Sequence, residues 1–205
     1  MNKKTFPQVS KLSADYIELV KDLSPQIKDY QTSWNYNVLP PLKGKSQDEI
    51  KQYVKEKQFN YSVLFENVMY DINMASGVRN ANAFGAKNVY YVGYKRFDRR
   101  GACGVYHYTP IQYIKELEQF EDILNSHDHI IGLDYVEGKS VSMINFDWKP
   151  NTLLIFGSEG YGISPILQSV CDQIVHIDQF GSVPSLNVAT ASGIIMNSYI
   201  SHIRK

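Results

Sequence analysis

The sequence predicts an α/β domain built on a largely parallel sheet with helices on both faces. Short apolar or β-branched runs recur at residues 61–65, 88–92, 129–133, 152–156 and 173–177, the texture of strands buried on both sides. Helical patterns fill several of the intervals, at about 75–84, 110–124, 164–170 and 186–203, and strands alternating with helices are the signature of parallel crossover units. At 205 residues, 43% of them hydrophobic, the chain suits one well-packed domain with a terminal extension.

Taken in order, the chain opens on its most charged and least strand-like part. Residues 11–57 read as two helices: Pro25 limits the first, Asn37-Val38-Leu39-Pro40-Pro41 forms a loop, and Ser46-Gln47-Asp48-Glu49 is a capping box that opens the second. Residues 1–60 are therefore assigned to a helical N-terminal extension and 61–205 to the main domain. Beyond the first strand, Asn73 is placed to cap the next helix. The last helix carries two apolar stripes, Val188, Ala191, Ile195 and Tyr199 on one side and Ala189, Gly193, Met196 and Ile200 on the other. A helix apolar on two sides is buried on two sides, and either a second subunit in a two-fold homodimer or the N-terminal helices supply the second cover.

Charge and cysteine content narrow the function classes. Lys plus Arg and Asp plus Glu number 21 each, so nucleic acid or an anionic membrane must be met through a local patch and not by bulk attraction. Cys103 and Cys171 make neither a disulfide framework nor a zinc spacing, and buried thiols in a reducing compartment are expected. The Met1-Asn2-Lys3-Lys4 start lacks an apolar segment behind it, and no run approaches spanning length, so a soluble cytoplasmic protein without a metal is expected.

Three polar constellations stand out. Gly157-Ser158-Glu159-Gly160-Tyr161-Gly162 is a glycine-rich turn directly after an apolar strand, and glycines let a ligand approach the backbone. Its spacing departs from the dinucleotide fingerprint and from the P-loop, although Asp178 lies at roughly the distance of a ribose-binding acid, so a nicotinamide-dependent oxidoreductase stays open. Ser185 and Asn187 in Pro184-Ser185-Leu186-Asn187-Val188 interrupt what reads as buried helix, which costs free energy unless something binds them. Asn73 and Arg79 lie among the small residues Ala75, Ser76, Gly77, Ala81 and Ala83, where close packing would hold an Arg at a site edge, ready to grip a phosphate or carboxylate.

Asn73 with Arg79, then Ala83-Phe84-Gly85-Ala86, then Gly157-Ser158-Glu159-Gly160 with Gly162, then Ser185-Leu186-Asn187-Val188-Ala189 together resemble the three motifs of the SpoU (TrmH-type) RNA ribose 2′-O-methyltransferases. The resemblance runs from about residue 61 to the C-terminus. It implies an α/β knot, in which the C-terminal segment threads a trefoil and S-adenosylmethionine lies against the knotted loops. It also implies a homodimer with its active site near the subunit interface. Carried over, the catalytic positions fall on Asn73, Arg79, Glu159, Ser185 and Asn187, and the cofactor contacts on Gly157, Ile177 and Leu186. Two departures matter: Ile177 is followed by Asp178-Gln179 where the family commonly has Pro-Met, and Ala189-Thr190 stands where a Val-Ser or Ser-Val pair is frequent. The first removes a stiffening proline and adds a negative charge beside the cofactor loop.

Methyl transfer to a ribose hydroxyl asks for positioning and proton acceptance. A guanidinium is a poor base, so Arg79 is assigned to the substrate phosphate first. Lys95, Arg96, Arg99 and Arg100 around Phe97 form the expected RNA-binding loop, suited to phosphates and a stacked base. The expected partner is tRNA or rRNA. A noncatalytic RNA-binding protein on the same fold is the third reading.

Overall fold

The computed structural model of the chain describes residues 37–93 and 97–205. The first expected helix, and Lys95 and Arg96 of the expected RNA loop, lie outside the described residues. Asn37–Gly44 belongs to a first unit and Lys45–Lys205 makes up a second. Within the first, Pro40–Leu42 forms a 3-10 turn closed by Leu42 N–H donating to Leu39 O at 2.8 Å.

The second unit opens with α1 (Gln47–Glu56), where the expected capping box is present in full: Ser46 Oγ accepts from Glu49 N at 3.3 Å and Glu49 Oε2 accepts from Ser46 N at 2.8 Å. Seven strands follow: β1 (Tyr61–Glu66), β2 (Asn88–Val92), β3 (Ile111–Tyr113), β4 (His129–Leu133), β5 (Ser140–Ser142), β6 (Thr152–Phe156) and β7 (Gln173–His176). They form one sheet in the order β3-β2-β1-β6-β4-β7-β5, parallel at every pairing. The central strands β1 and β6 are buried almost throughout, as their largely apolar runs require, with Ser62 and Thr152 the buried polar exceptions. The helices are α2 (Asp71–Ala83), α3 (Leu117–Asn125), α4 (Pro165–Val170) and α5 (Val188–Ile203). One core cluster joins Leu64, Leu153 and Ile155 of the sheet to Ile123 of α3 and Leu167 of α4.

The structure corrects three expectations about the helices. The helix expected over 110–124 begins only at Leu117, because 111–113 is the edge strand β3, with Val89 N donating to Pro110 O and Ile114 N to Tyr91 O, both at 2.9 Å. Pairing satisfies the open edge of β2, a gain that local periodicity cannot register. Asn73 is not the cap of α2; Tyr70 holds that position and Asn73 lies within the first turn, its side chain committed elsewhere. Ser185 and Leu186 precede α5 and do not interrupt it, since Asn187 is its N-cap, accepting from Ala189 N at 2.9 Å and Thr190 N at 3.2 Å. The two stripes of α5 are largely covered by the chain itself, with Val188, Ile195, Met196, Tyr199 and Ile200 all buried and Ile194 left 36% exposed.

Cys103 and Cys171 are half-buried, not fully buried. Burial first, then the charges of Asp172 and Glu66, pushes the Cys171 thiol up to about 12, so it stays a neutral packing group.

Candidate active site

The carboxyl ends of β4, β6 and β7 open onto one cleft of about 400 Å³, lined by Leu133, Phe156, Val175, Ile177 and Leu186 and by the glycine turn. Crevices at this end of a parallel sheet are where open α/β folds take ligands, and the volume lies within the roughly 300–1,000 Å³ of small-molecule pockets.

The floor of the cleft is pinched shut on itself. Ser158 N donates to Gly162 O and Gly162 N to Ser158 O, both at 2.9 Å, so the turn closes as a two-bond loop. Only glycine fits at Gly157, where a Cβ would stand 2.1 Å from the carbonyl carbon of Gly162. Two carboxylates then hold the far end of the turn. Asp134 Oδ2, just past β4, accepts from Ile163 N at 2.9 Å, and Glu66 Oε2, at the end of β1, accepts from Ser164 N at 2.8 Å. Neither acid is marked in the sequence, because its partner is a backbone amide with no side-chain signature.

Glu159 leaves the turn toward α2. Its Oε1 accepts from Asn73 Nδ2 at 2.8 Å and its Oε2 from Met69 N at 2.9 Å. Asn73 Oδ1 in turn accepts from Asn187 Nδ2 at 3.0 Å, and Asn187 spends its own oxygen capping α5. Donors and acceptors alternate along this bridge with each Asn amide oriented by its neighbour. Burial draws the Glu159 carboxyl upward, but the Asn73 amide and the Met69, Glu159 and Tyr70 backbone N–H groups outweigh it and hold the group below its ordinary value.

The remaining predicted residues take different places. Gly157, Ile177, Ser185 and Leu186 line the cleft with Glu159, and Ser185 makes no side-chain hydrogen bond among the described residues. Arg79 shares no hydrogen bond with the bridge; it lies exposed on α2 and its Nη1 donates to Cys103 Sγ at 3.3 Å. On the other side of Asn73 and Asn187 lies a shallow concavity between α2 and α5, which Ser76, Asn80, Thr190 and Gly193 also line. Within the expected RNA loop, the Arg100 guanidinium forks onto Asp98, with Nε 2.8 Å from Oδ2, and Arg99 stacks 5.2 Å over the Tyr106 ring. Asp98 therefore offsets one of the expected positive charges. Asp178 does not line the cleft; its carboxylate accepts from Ser142 Oγ. The acid expected to mimic a ribose ligand is thus turned away, which removes the support for a dinucleotide reading. Among the described residues no cluster of three His, Cys, Asp or Glu could hold a metal, and no helix is long and apolar enough to cross a membrane.

Fold and site together define an α/β protein with a cleft at the carboxyl ends of parallel strands, where Glu159 lines the cleft and is tied through Asn73 to Asn187. The chain belongs to the SpoU rRNA Methylase family, whose model matches residues 60–197. It is 30% identical over 139 residues to the 23S rRNA (guanosine-2′-O-)-methyltransferase RlmB of Coxiella burnetii, covering 65% of this chain and 55% of that protein. It is 26% identical over 152 residues to the tRNA (guanosine(18)-2′-O)-methyltransferase of Aquifex aeolicus, covering 72% of each. The chain thus spans about half the length of the first of these relatives. Among solved structures, the A. aeolicus TrmH/SpoU tRNA modifying enzyme shares the fold with a TM-score of 0.68 at 22% identity, over 77% of this chain and 82% of that one. The SpoU methyltransferase AviRb of Streptomyces viridochromogenes, solved with AdoMet, gives 0.65 at 25% identity, over 72% and 62%.

Proposed function

We propose that this chain methylates a ribose 2′-hydroxyl of tRNA or rRNA, with S-adenosylmethionine held in the β4-β6-β7 cleft. The observation that carries the reading is the Glu159-Asn73-Asn187 bridge, which joins residues from three separate motifs at the lip of that cleft. Bound there, the cofactor supplies an electrophilic methyl group on a cationic sulfonium. The cleft suits it: Gly157 lets the turn close tightly into a floor, Ile177 and Leu186 offer apolar walls, and the Asp134 and Glu159 carboxylates favour a cation. Asn73, Glu159, Ser185 and Asn187 orient the ribose and the loops around it, while Arg79 grips the substrate phosphate. Arg99, with Lys95 and Arg96, extends the RNA surface.

A homodimer completes the site in this reading, with the concavity beside Asn73 and Asn187 and the exposed Ile194 facing the partner. Residues 61–205 carry the methyltransferase, threaded as the trefoil knot that the family likeness implies, and residues 1–60 help choose the RNA. The cytoplasm is the compartment that holds these substrates.

Two measurements test the assignment. Calorimetry should show S-adenosylmethionine binding and no NAD binding. Labelled methyl transfer into total tRNA and rRNA, followed by nuclease mapping, should give a single 2′-O-methylated position; RNA binding without methyl incorporation would sink the enzyme reading. Arg79→Lys keeps the charge and loses the planar fork, so methylation should fall at least about tenfold with cofactor binding unchanged.

A further inference from the structure

We propose that Asp178 and Ser142 form a clasp that positions the outer wall of the cleft for its cofactor, an inference that rests on reading the cleft as the S-adenosylmethionine site. Residues 177–186 leave β7 and run to Asn187, and Ile177, Gln179, Pro184, Ser185 and Leu186 along this stretch line the cleft. Among the described residues this stretch makes a single side-chain hydrogen bond, from Ser142 Oγ to Asp178 Oδ2. The Ser142 oxygen is already occupied by Ile144 N–H at 3.0 Å, so its one proton is free to point at the carboxylate.

The clasp sits where the register puts it. Ser142 of the edge strand β5 pairs with His176, two residues before Asp178, so the bond spans from the last strand pair to the first turn of the loop. Beside it, His176 Nδ1 lies 3.1 Å from Ser140 Oγ, whose own proton goes to Val136 O at 3.0 Å, leaving the imidazole as donor in that contact. His176 Nε2 stands 3.7 Å from Asp178 Oδ1. Side chains at 140, 142, 176 and 178 thus form one polar seam on the sheet edge, next to the cleft wall. Fixing residue 178 there has two effects. It holds a carboxylate out of the cleft, and it fixes the exit of Ile177, so the wall is ordered before a ligand arrives and less ordering is left for binding.

The test joins two readouts. In the cofactor-free chain, hydrogen exchange of the 177–186 amides should quicken in Asp178→Ala and Ser142→Ala while β1 and β6 keep their protection. By calorimetry each variant should bind S-adenosylmethionine about tenfold more weakly, the scale of a hydrogen bond to a charged group. The double variant should be no weaker than Asp178→Ala alone. Asp178→Asn, whose amide oxygen still accepts from Ser142, should stay within about threefold of the unaltered chain. Unchanged exchange overturns the clasp, and faster exchange with an unchanged Kd overturns its link to the cofactor. An Asp178→Asn loss equal to that of Asp178→Ala overturns it too, because charge and not the hydrogen bond would then be operating. An unaltered chain that fails to bind S-adenosylmethionine overturns the function proposed above, while the exchange readout still judges the clasp.

Discussion

The two sides of the cleft are built by opposite means. The glycine turn at 157–162 is tied at both ends and across its middle, through the Ser158–Gly162 bond pair, Asp134 on Ile163, Glu66 on Ser164 and Glu159 on Asn73 and Met69. The facing stretch at 177–186 has Asp178 on Ser142 at one end and the Asn187 cap at the other. Between them Phe180 is 95% exposed and Val183 57%. A floor tied along its length and a wall tied only at its ends separate two tasks: the floor sets where a ligand's reactive part must lie, and the tied ends set the wall against it, leaving only the exposed middle of the wall without packing.

The harshest way to break this contrast is Gly157→Ala. The added Cβ would meet the Gly162 carbonyl and the Ile163 nitrogen at 2.1–2.3 Å, and these are backbone atoms that cannot swing aside. The loop must open, at a cost of about 3 kcal/mol on the scale of overpacked sites. Urea unfolding should report that loss and calorimetry should find no S-adenosylmethionine binding; a variant of ordinary stability would mean that the floor is not rigid.

Asn187 comes next, because it serves both sides. Asn187→Ala removes the α5 cap, worth about 1 kcal/mol, and strips Asn73 Oδ1 of its donor for about 1 kcal/mol more. Asn187→Asp separates the two roles. A carboxylate still accepts from Ala189 and Thr190 N–H but has no proton for Asn73, so about half of the lost stability should return while methylation stays low. Recovery of both would place Asn187 in the helix cap alone.

How far the sequence reaches follows the same divide. The central strands announce themselves as largely apolar runs, and the Ser46 box follows from local residue types with short-range partners. Asn73, Glu159 and Asn187 were expected at one site, yet their bonds join residues 86 and 114 apart, which motif likeness suggested and periodicity could not. The edge strands β3 and β5, three residues each, are too short to show a period. The residues 111–114, Ile-Gln-Tyr-Ile, suit the end of a strand as well as the start of a helix. Asp134 and Glu66 stayed hidden because backbone amides leave no mark on composition. A knot, which only the family resemblance implies, would have no local signature at all.

A smaller effect probes the charge in the floor. The Glu159 carboxyl is held below its ordinary value, so in the unfolded chain it takes up a proton at a higher pH than in the folded one. The stability it contributes is therefore present above the ordinary Glu range and lost as pH falls through the lowered folded value. Glu159→Gln should be less stable near neutral pH and should lose less on acidification, so the two stabilities should converge as pH falls through and below the ordinary Glu range. A constant gap would assign the role of Glu159 to shape and not to charge.

The smallest expected effect tests the loose wall. Phe180 leaves almost its entire ring in solvent, so Phe180→Ser removes little packing and should change unfolding stability by no more than about 0.5 kcal/mol. The same substitution in a tied segment would be felt, as at Phe156, which is 1% exposed and stacks on Phe65 at 5.3 Å, where a smaller side chain costs about 3 kcal/mol or more. Equal losses at the two positions would mean that the stretch after β7 is packed by something in solution, and the contrast between floor and wall would fall.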